Sequence, residues 1–464
     1  MTRLSGLWVV SLFGTLGCYQ AFELDHGAAR DASTPRDANL DVRDAGRPDA
    51  GRDAGRDAAG IVPPVDDTDL PPLPPPEPTP SPDDRPSDDD DDWVDETPTV
   101  EPCCADEPIH TLSEGPDVDG PPVLAWDGDS ERWLVAWPEG AHPDWRIAMR
   151  FLDADARPLG PVRYLPGYSG QPRSLAYGNG RFALFCDGYA TDAQRKVLTI
   201  LDSELRVRAN HLVDEPGVAL AVVRYPAVGG WAIVHNFPAE RTYVDAIGDD
   251  MVRRARHELP YADYASLVAY KARLVAVHAY VDRGVNLDPF VGVLEHEPTW
   301  TLPAVPGDGG FQSTSFAATR LRDRVVVSVN ADVPGGEVRT FTYDPFTTER
   351  HELDAWSLSP RTTEGTQGAH SSVGDDVLGV AVHCVSTQPP TGRPALDVVL
   401  TDPSRVVTVA EAFVPPFGPY RLSPIGCAIA PSRAPGTYTV VWWDDVFAEG
   451  ITFIRGKRLP LVRE

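Results

Sequence analysis

The chain has 464 residues and a formal net charge of −28, with 47 prolines, 39 glycines and six cysteines. This length predicts two or three domains. The charge is unevenly spread: residues 18–122 hold 28 acidic residues against seven arginines, whereas residues 123–464 hold 41 acidic against 33 basic residues. A nucleic-acid binder with a cationic face is therefore excluded, and so is one uniform fold.

The chain begins with the features of an export signal. Arg3 ends a short cationic start, and about twelve mostly apolar residues follow between Gly6 and Gly17. A helix of that length, at about 1.5 Å per residue, is too short to cross roughly 30 Å of hydrocarbon. Residues 1–17 are therefore predicted to be a signal peptide. No other stretch is long and apolar enough to span a bilayer.

A cysteine follows the apolar stretch directly. The sequence Thr15-Leu16-Gly17-Cys18 resembles a bacterial lipoprotein signal, in which a small residue precedes a cysteine that is lipidated and becomes the new N-terminus. The family usually has Leu three residues before the cysteine, where this chain has Thr15. The resemblance implies a lipid anchor on Cys18, and the alternative is an ordinary secretory signal with an incidental cysteine.

Residues 18–120 are predicted to be a disordered acidic linker. Residues 43–60 nearly repeat Arg-Asp-Ala-Gly, residues 63–86 contain eleven prolines, and residues 88–92 are five consecutive aspartates. Such segments bury too little apolar surface to offset their ordering entropy, and proline and like charges keep them extended. The linker is expected to hold the next domain away from the membrane. Two further hypotheses are a proline-rich ligand for an aromatic groove and a calcium site at the aspartates.

The remaining residues, 121–464, consist of β-rich units separated by Gly, Pro and Asp turns. Each unit contains one strongly apolar strand; these strands lie at 133–137, 182–186, 231–235, 274–278, 325–329, 379–383 and 437–443. A preceding strand can be matched in five units, at 123–126, 174–177, 219–222, 266–270 and 425–429. The units average about 49 residues, close to the length of a β-propeller blade.

We therefore predict an all-β fold with a β-propeller of seven blades, six or eight blades being the alternatives. Stacking around a ring lets each blade bury both faces of its sheet, which a single blade cannot do. Residues 451–454 and 459–462 are expected to complete the last blade or to pair with the first. A pair of β-sandwiches is the rival architecture.

The first unit, 123–137, resembles the degenerate propeller repeats of bacterial surface lipoproteins, with apolar-Ala-Trp-Asp-Gly followed by Trp-Leu-Val-Ala-Trp. A tether rich in proline and Arg-Asp-Ala-Gly after a lipid-type cysteine resembles exported proteins of the myxobacterial type. These motifs imply an architecture and no catalytic residues. Trp126-Asp127 resembles the WD-repeat dipeptide without its Gly-His partner, and we interpret it as turn chemistry.

Five cysteines follow the lipidation position, and thiols of exported proteins tend to pair. Cys384 ends the strong strand of unit six, and Cys427 lies on the first strand of unit seven. Because neighbouring blades bring such positions close, we expect a Cys384–Cys427 disulfide. Cys103 and Cys104 form a candidate vicinal pair that could bond to itself, to another cysteine or to a partner chain. Cys186 is interpreted as a partner of that pair or as a small buried hydrophobe.

Three histidines, His235, His278 and His383, fall at equivalent repeat positions at the end of the strong strand. Equivalent positions trace a circle around a ring, so these imidazoles would share a metal only if the circle were the narrow central channel. Their units are separated around the ring, and metal–nitrogen bonds are near 2 Å. We therefore expect no metal there and interpret the three as hydrogen-bonded histidines at blade turns.

No nucleophile, zinc-helix, phosphate-loop or dinucleotide motif occurs in the sequence, and no cofactor is expected. The favoured hypothesis is a monomeric, lipid-anchored binding or scaffold module of the outer membrane or cell surface, with a protein or glycan ligand on one rim. Trp145, Tyr164 and Tyr168 are candidates for that rim, although such residues also pack between blades. The alternatives are a carbohydrate-active hydrolase or lyase, whose paired carboxylates leave no local trace, and a structural envelope component.

Overall fold

The computed structural model describes residues 100–463 except 103–106, 115–117, 119, 141–144, 191–192, 238–240, 263, 281–283, 303–312, 332–336, 354–355, 358–369, 388–394, 402–405, 415–421, 433, 435 and 447–450. The predicted signal peptide, Cys18, the linker before residue 100 and the pair Cys103 and Cys104 lie outside the described residues.

The described residues form seven antiparallel sheets, each with four or five strands. Blades 1 and 2 consist of β3 (Val123–Asp127), β4 (Arg132–Glu139), β5 (Arg146–Leu152), β6 (Pro158–Tyr164), β7 (Gly170–Gly178), β8 (Arg181–Ala190), β9 (Ala193–Leu201) and β10 (Val207–Val213). Blades 3 and 4 consist of β11 (Ala219–Tyr225), β12 (Gly230–Phe237), β13 (Arg241–Gly248), β14 (Arg253–Pro260), β15 (Tyr264–Tyr270), β16 (Arg273–Tyr280), β17 (Gly284–Val291), β18 (Glu295–His296) and β19 (Trp300–Thr301). A short 3₁₀ helix, Pro226–Val228, joins β11 to β12.

The later blades follow the same order. Blades 5 and 6 consist of β20 (Ser313–Leu321), β21 (Arg324–Ala331), β22 (Glu337–Tyr343), β23 (Arg350–Glu352), β24 (Trp356–Ser357), β25 (His370–Asp375), β26 (Val380–Thr387), β27 (Ala395–Thr401) and β28 (Val406–Val414). Blade 7 consists of β29 (Leu422–Pro431), β30 (Thr437–Val446), β31 (Ile451–Arg463), β1 (Val100–Pro102) and β2 (His110–Thr111).

The sheets form a closed ring. The first strand of each blade contacts the first strand of the next, and β29 contacts β3. The prediction of an all-β, seven-bladed propeller is confirmed. All seven strongly apolar segments form the second strands of blades, and the five predicted preceding strands form first strands. The second strands are apolar without alternation because a neighbouring blade covers each face of the sheet.

The last blade is completed from both ends of the described chain. Strand β31 pairs with β30, so the tail completes blade 7, which was one of the two expectations. Strands β1 and β2 pair with the outer edge of β31, at Arg463 and at Gly456. Leu112 then donates its amide to Ile454 O at 2.7 Å and is fully buried between blades 7 and 1.

These contacts correct the predicted domain boundary. The linker was expected to run to residue 120, but residues 100–102 and 110–112 belong to the propeller. The strands there are only two or three residues long and carry no hydrophobic period. They form because the open edge of β31 offers unpaired backbone groups that a passing segment can satisfy.

The two faces of the ring differ in their connections. Because strands alternate in direction, the turns between first and second strands and between third and fourth strands share one face, here called the turn face. The other connections lie on the opposite loop face. Aspartates shape the turns: Asp127 and Asp375 accept backbone N–H groups after first strands, and Asp153, Asp202 and Asp344 do so after third strands. Trp126-Asp127 is therefore turn chemistry, as expected.

Candidate functional site

The three predicted histidines lie at equivalent positions near the ends of the second strands of blades 3, 4 and 6. Each is buried and is hydrogen-bonded through Nε2 to the third strand of its own blade. The pairs are His235–Asp245 at 3.1 Å, His278–Asp288 at 2.6 Å and His383–Thr401 at 2.9 Å. Each ring faces the preceding blade, so the three lie in three different seams, a seam being the interface between neighbouring blades. They do not converge on one point.

The seam between blades 2 and 3 contains a buried network of charged side chains. Lys196 Nζ donates to Pro216 O and to Asn236 O, at 3.0 Å each, and lies 3.2 Å from His235 Nδ1. An ammonium group only donates, so His235 Nδ1 accepts, and its Nε2–H donates to Asp245. The network therefore fixes the tautomer of the imidazole.

Asp245 connects His235 to Arg256 in this network. Arg256 donates from Nε and Nη2 to the two carboxylate oxygens, at 2.7 Å each, and also binds Glu215. Burial disfavours the charge on Asp245, but the bonds from Arg256 and His235 outweigh it and lower its pKa to about 2. The bond from Arg256 lowers the pKa of Glu215 to about 2.

Lys196 and Asp187 show what burial costs on the other side of the seam. Burial lowers the pKa of Lys196 to about 8, against the opposing effect of nearby carboxylates. Burial raises the pKa of Asp187, although Arg173 Nε donates to it at 2.6 Å and the Ala219 amide at 2.6 Å. A lysine, a histidine and an aspartate joined by hydrogen bonds could transfer protons, but Lys196, His235 and Asp245 are 0% exposed. A general base must reach its substrate, so this network holds blades together.

Aromatic and arginine side chains gather at the turn-face end of the innermost strands. They come from the ends of the first strands of blades 1 to 5 and are Trp126, Tyr177, Arg224, Tyr270 and Arg320. None of the five is fully buried. Aromatic residues and arginine are enriched in protein interfaces and carry much of their binding energy. The row is therefore a candidate for binding.

In blades 2 and 3 this row is fixed by carboxylates. Tyr177 donates its hydroxyl to Asp129 Oδ2 at 2.5 Å, and Arg224 binds both oxygens of Asp249, at 2.5 and 3.1 Å. Burial and the bond to Asp129 raise the pKa of Tyr177 well above its usual range. These side chains are committed to contacts within the protein.

In blades 4 to 6 the row opens into an exposed patch, here called the turn-face site. It consists of Tyr270, Lys271, Arg320, Phe346 and Val377. The Tyr270 and Phe346 rings meet edge to face, with centroids 5.6 Å apart. Arg320 and Lys271 lie over the Tyr270 ring at 4.9 and 5.1 Å. Phe346 is 45% and Val377 70% exposed, so the patch presents apolar surface beside cations.

The charges around the turn-face site are partly balanced. Arg320 pairs with Asp376, which also accepts the Arg322 amide at 2.5 Å. Arg273 lies 4.9 Å over the Phe346 ring and donates to Glu297 at 2.7 Å. Within the part of the chain that the structure describes, Lys271 has no carboxylate within 4 Å. The patch is thus aromatic, aliphatic and mildly cationic.

A cleft of about 540 Å³ lies between blades 2 and 3 on the same face. Its lining residues are Gly180, Arg181, Asp202, Arg208, Ala209, Asp249, Asp250 and Met251. The three carboxylates already bind arginines within blades 2 and 3. The residues that line the cleft include no aromatic side chain. The turn-face site is the better candidate for this reason.

The three cysteines among the described residues, Cys186, Cys384 and Cys427, lie in two seams. Cys384 and Cys427 are joined by a disulfide between blades 6 and 7, with their Cα atoms 6.4 Å apart. Both lie in an apolar cluster with Tyr438 and Trp442. Cys186 is a buried thiol between blades 1 and 2, and burial raises its pKa well above the usual range. It packs there as a small hydrophobe.

Of the three aromatic residues expected at a rim, only Tyr164 is exposed. Trp145 is buried, with 8% exposure, so it does not present a rim surface. Tyr168 packs against the apolar cluster between blades 1 and 2. Tyr164 is 40% exposed on the loop face, where Arg146 covers its ring at 4.2 Å. Phe346 also presents exposed aromatic surface, on the turn face. The sequence does not indicate this site, because it forms only when turns from different blades meet on one face of the ring.

The described residues contain no cluster of three or more His, Cys, Asp or Glu side chains that could hold a metal ion. Within the same residues, no helix has the length and apolarity needed to cross a membrane.

No family model and no curated protein matches the chain. Solved structures with a similar fold include the Dos1 propeller, with 9% identity, TM-score 0.44 and coverage of 77% of this chain and 87% of that one. NanB sialidase from Streptococcus pneumoniae has 11% identity, TM-score 0.41 and coverage of 76% and 70%. The Pseudomonas aeruginosa periplasmic gluconolactonase PpgL has 14% identity, TM-score 0.44 and coverage of 66% and 95%. At these identities and TM-scores the similarities support no role for this chain, and the propeller fold rests on its own strand pairing.

Proposed function

We propose that this chain is a lipid-anchored binding or scaffold protein of the cell envelope, which presents its propeller to a protein or glycan ligand. The observation that carries the proposal is the turn-face site, where Tyr270, Phe346 and Arg320 stand together on an exposed surface. Rigid aromatic rings beside arginines supply binding energy at a low cost in conformational entropy.

The buried carboxylates support binding over catalysis. Six Asp or Glu side chains are buried among the described residues. Five of them are each held by two or more donors from the protein itself; they are Asp127, Asp187, Asp245, Asp288 and Asp375. The sixth, Glu139, lies 3.6 Å from Arg146 of its own blade. A glycoside hydrolase needs two carboxyl groups that face its substrate across a cleft. These five carboxylates serve turns and seams, so the alternative of a carbohydrate-active hydrolase or lyase has no pair of them to use.

The ligand site is tested by photo-crosslinking in cells. A photoreactive phenylalanine analogue replaces Phe346, which is 45% exposed, or Tyr164, which is 40% exposed on the opposite face. We expect specific crosslinked products from position 346 that Arg320→Ala and Tyr270→Ala weaken, and none from position 164. Equal products from both positions would contradict the turn-face site.

The anchor is tested separately, by metabolic labelling with a fatty-acid analogue. The sequence Gly17-Cys18 after an apolar segment supports lipidation of Cys18. The wild type should take up the label, and Cys18→Ser should not. Equal labelling of the two chains would contradict the lipid anchor while leaving the turn-face site untouched.

A further inference from the structure

The seam between blades 3 and 4 brings three histidines and one aspartate into contact. Asp288 Oδ2 accepts from His278 Nε2 at 2.6 Å, and Oδ1 accepts from His296 Nε2 at 2.8 Å and from the Thr299 hydroxyl. The His257 ring stacks on His296, with centroids 4.5 Å apart and the planes 29° from parallel. A chain of titratable groups thus runs from His296, 29% exposed, to His278, 1% exposed.

The stacked pair joins two blades at their outer rim. His257 lies on β14, the outer strand of blade 3, and His296 on β18, an outer strand of blade 4. Phe290 of β17 meets His257 edge-on at 5.0 Å. The apolar cluster between these blades, which extends from the inner strands to Leu259 of β14, holds them independently of the histidines.

The groups facing His257 decide how it responds to pH. From blade 4 these are His296 and Asp288; from its own strand it is Glu258, which binds Arg241 of β13 at 2.5 Å. Burial lowers the pKa of His257, and the positive charge of a protonated His296 lowers it further, against the two carboxylates.

The sign of the linkage follows from that direction. An unfolded histidine binds its proton near pH 6.5, whereas folded His257 binds it at a lower pH. Between those values the unfolded or opened chain holds more protons than the folded one. The contribution of His257 to stability is therefore present above about pH 6.5 and is lost as the pH falls.

We propose that the outer rim of this seam is a pH-sensitive latch. At neutral pH the uncharged ring of His257 stacks on His296, with centroids 4.5 Å apart, and holds β14 against β18. In mild acid His257 binds a proton more readily when it leaves this partly buried position, so protonation favours the state in which β14 is released. The ring of blades stays closed because the apolar cluster of the seam does not titrate.

Hydrogen exchange of the full chain at pH 7.5, 6.5 and 5.5, corrected for intrinsic exchange rates, tests the latch. The opening equilibrium of β14 should rise by up to about tenfold per pH unit below pH 6.5. Strand β6, an outer strand that contains no histidine, should show no such rise. Protection of β14 that does not change with pH would overturn the proposal.

Variants assign the effect to the stacked pair. His257→Phe keeps an aromatic ring on His296 and removes the titration, so β14 should stay protected at pH 5.5. His257→Gln removes the ring, so β14 should open at every pH to the same extent. His351→Gln, at an exposed histidine on the outer strand β23 of blade 5, should behave as wild type. A pH-dependent opening that persists in His257→Phe and His257→Gln would contradict the latch.

Discussion

Two seams of the same ring are held by different chemistry. Between blades 2 and 3, Lys196, His235, Asp245 and Arg256 form a buried ionic network beside apolar side chains. Between blades 6 and 7, a disulfide lies among valines, Tyr438 and Trp442. The repeat fixes where second and third strands face a neighbour, but it does not fix what fills that space.

The difference has a physical consequence. A buried ion pair pays a desolvation cost that its geometry must recover, so it is sensitive to pH and to the loss of one partner. A disulfide acts mainly on the unfolded chain and is sensitive to reductant. One seam should therefore respond to protons and the other to thiols.

The largest effect is expected where the ionic seam loses its central anion. Asp245→Ala leaves Arg256 with one carboxylate and His235 Nε2–H without an acceptor, and should cost about 3–5 kcal/mol of unfolding free energy. Urea denaturation measures this. The matched control is Glu258→Ala, which breaks the half-exposed pair with Arg241 and should cost under about 1 kcal/mol. Equal losses for the two variants would contradict a structural role for the buried network.

The covalent seam should lose somewhat less. Cys384→Ser opens a cross-link between positions 43 residues apart and should cost about 2–4 kcal/mol. Reductant should destabilise the wild type and Asp245→Ala, because both keep the disulfide. It should not change the stability of Cys384→Ser, which lacks this bond. Mass spectrometry of the non-reduced chain checks the pairing directly. Free thiols at both positions in protein purified without reductant would contradict this account of the seam.

The pH dependence of stability that Lys196 causes is a second way to distinguish the two seams. Its pKa is lowered to about 8 by burial, whereas an unfolded lysine titrates near 10.4. The unfolded chain therefore binds more protons between these values, and stability should rise with pH there. Relative to Lys196→Met, the wild type should gain about 1–2 kcal/mol between pH 8 and 9.5. Parallel stability curves for the two chains would show that Lys196 titrates normally.

The smallest effect on stability is expected at the turn-face site. Arg320→Ala removes an exposed pair with Asp376 and a contact with Tyr270, so unfolding free energy should change by under about 1 kcal/mol. The same denaturation experiment measures it. A loss comparable to that of Asp245→Ala would place Arg320 in the framework and remove the turn-face site from consideration.

The sequence predicted those parts of the fold that have a strong apolar signal. Second strands such as 133–137 and 274–278 are continuous apolar runs because both faces are covered. The first strands of blades 5 and 6, Ser313–Leu321 and His370–Asp375, were not predicted. Polar residues interrupt the apolar ones in both, so neither contains a continuous apolar run. Strands β1 and β2 are too short to carry a period and form only when β31 presents its edge.

The networks were harder to predict than the strands. Lys196 and His235 are 39 residues apart and meet only once two blades are stacked in register. One signal was available in the sequence: an aspartate follows His235 and His278 at the same distance of ten residues, in successive units. That repeat indicates a pair across neighbouring strands, but it does not indicate whether the pair is buried or exposed.

The last blade is completed by residues that precede the first one. Two chains test this closure, one beginning at residue 98 and one at residue 121. Leu112, fully buried between blades 7 and 1, and the pairing of β1 and β2 with β31 are kept in the first and lost in the second.

Thermal unfolding of these two chains is the measurement. The chain from residue 98 should unfold at the temperature of the full chain in one transition. The chain from residue 121 loses the burial of Leu112 and the cover on β31, about 2–3 kcal/mol or more, and should unfold at least about 3 °C lower. Equal unfolding temperatures for the two chains would contradict closure of the ring by the N-terminal strands.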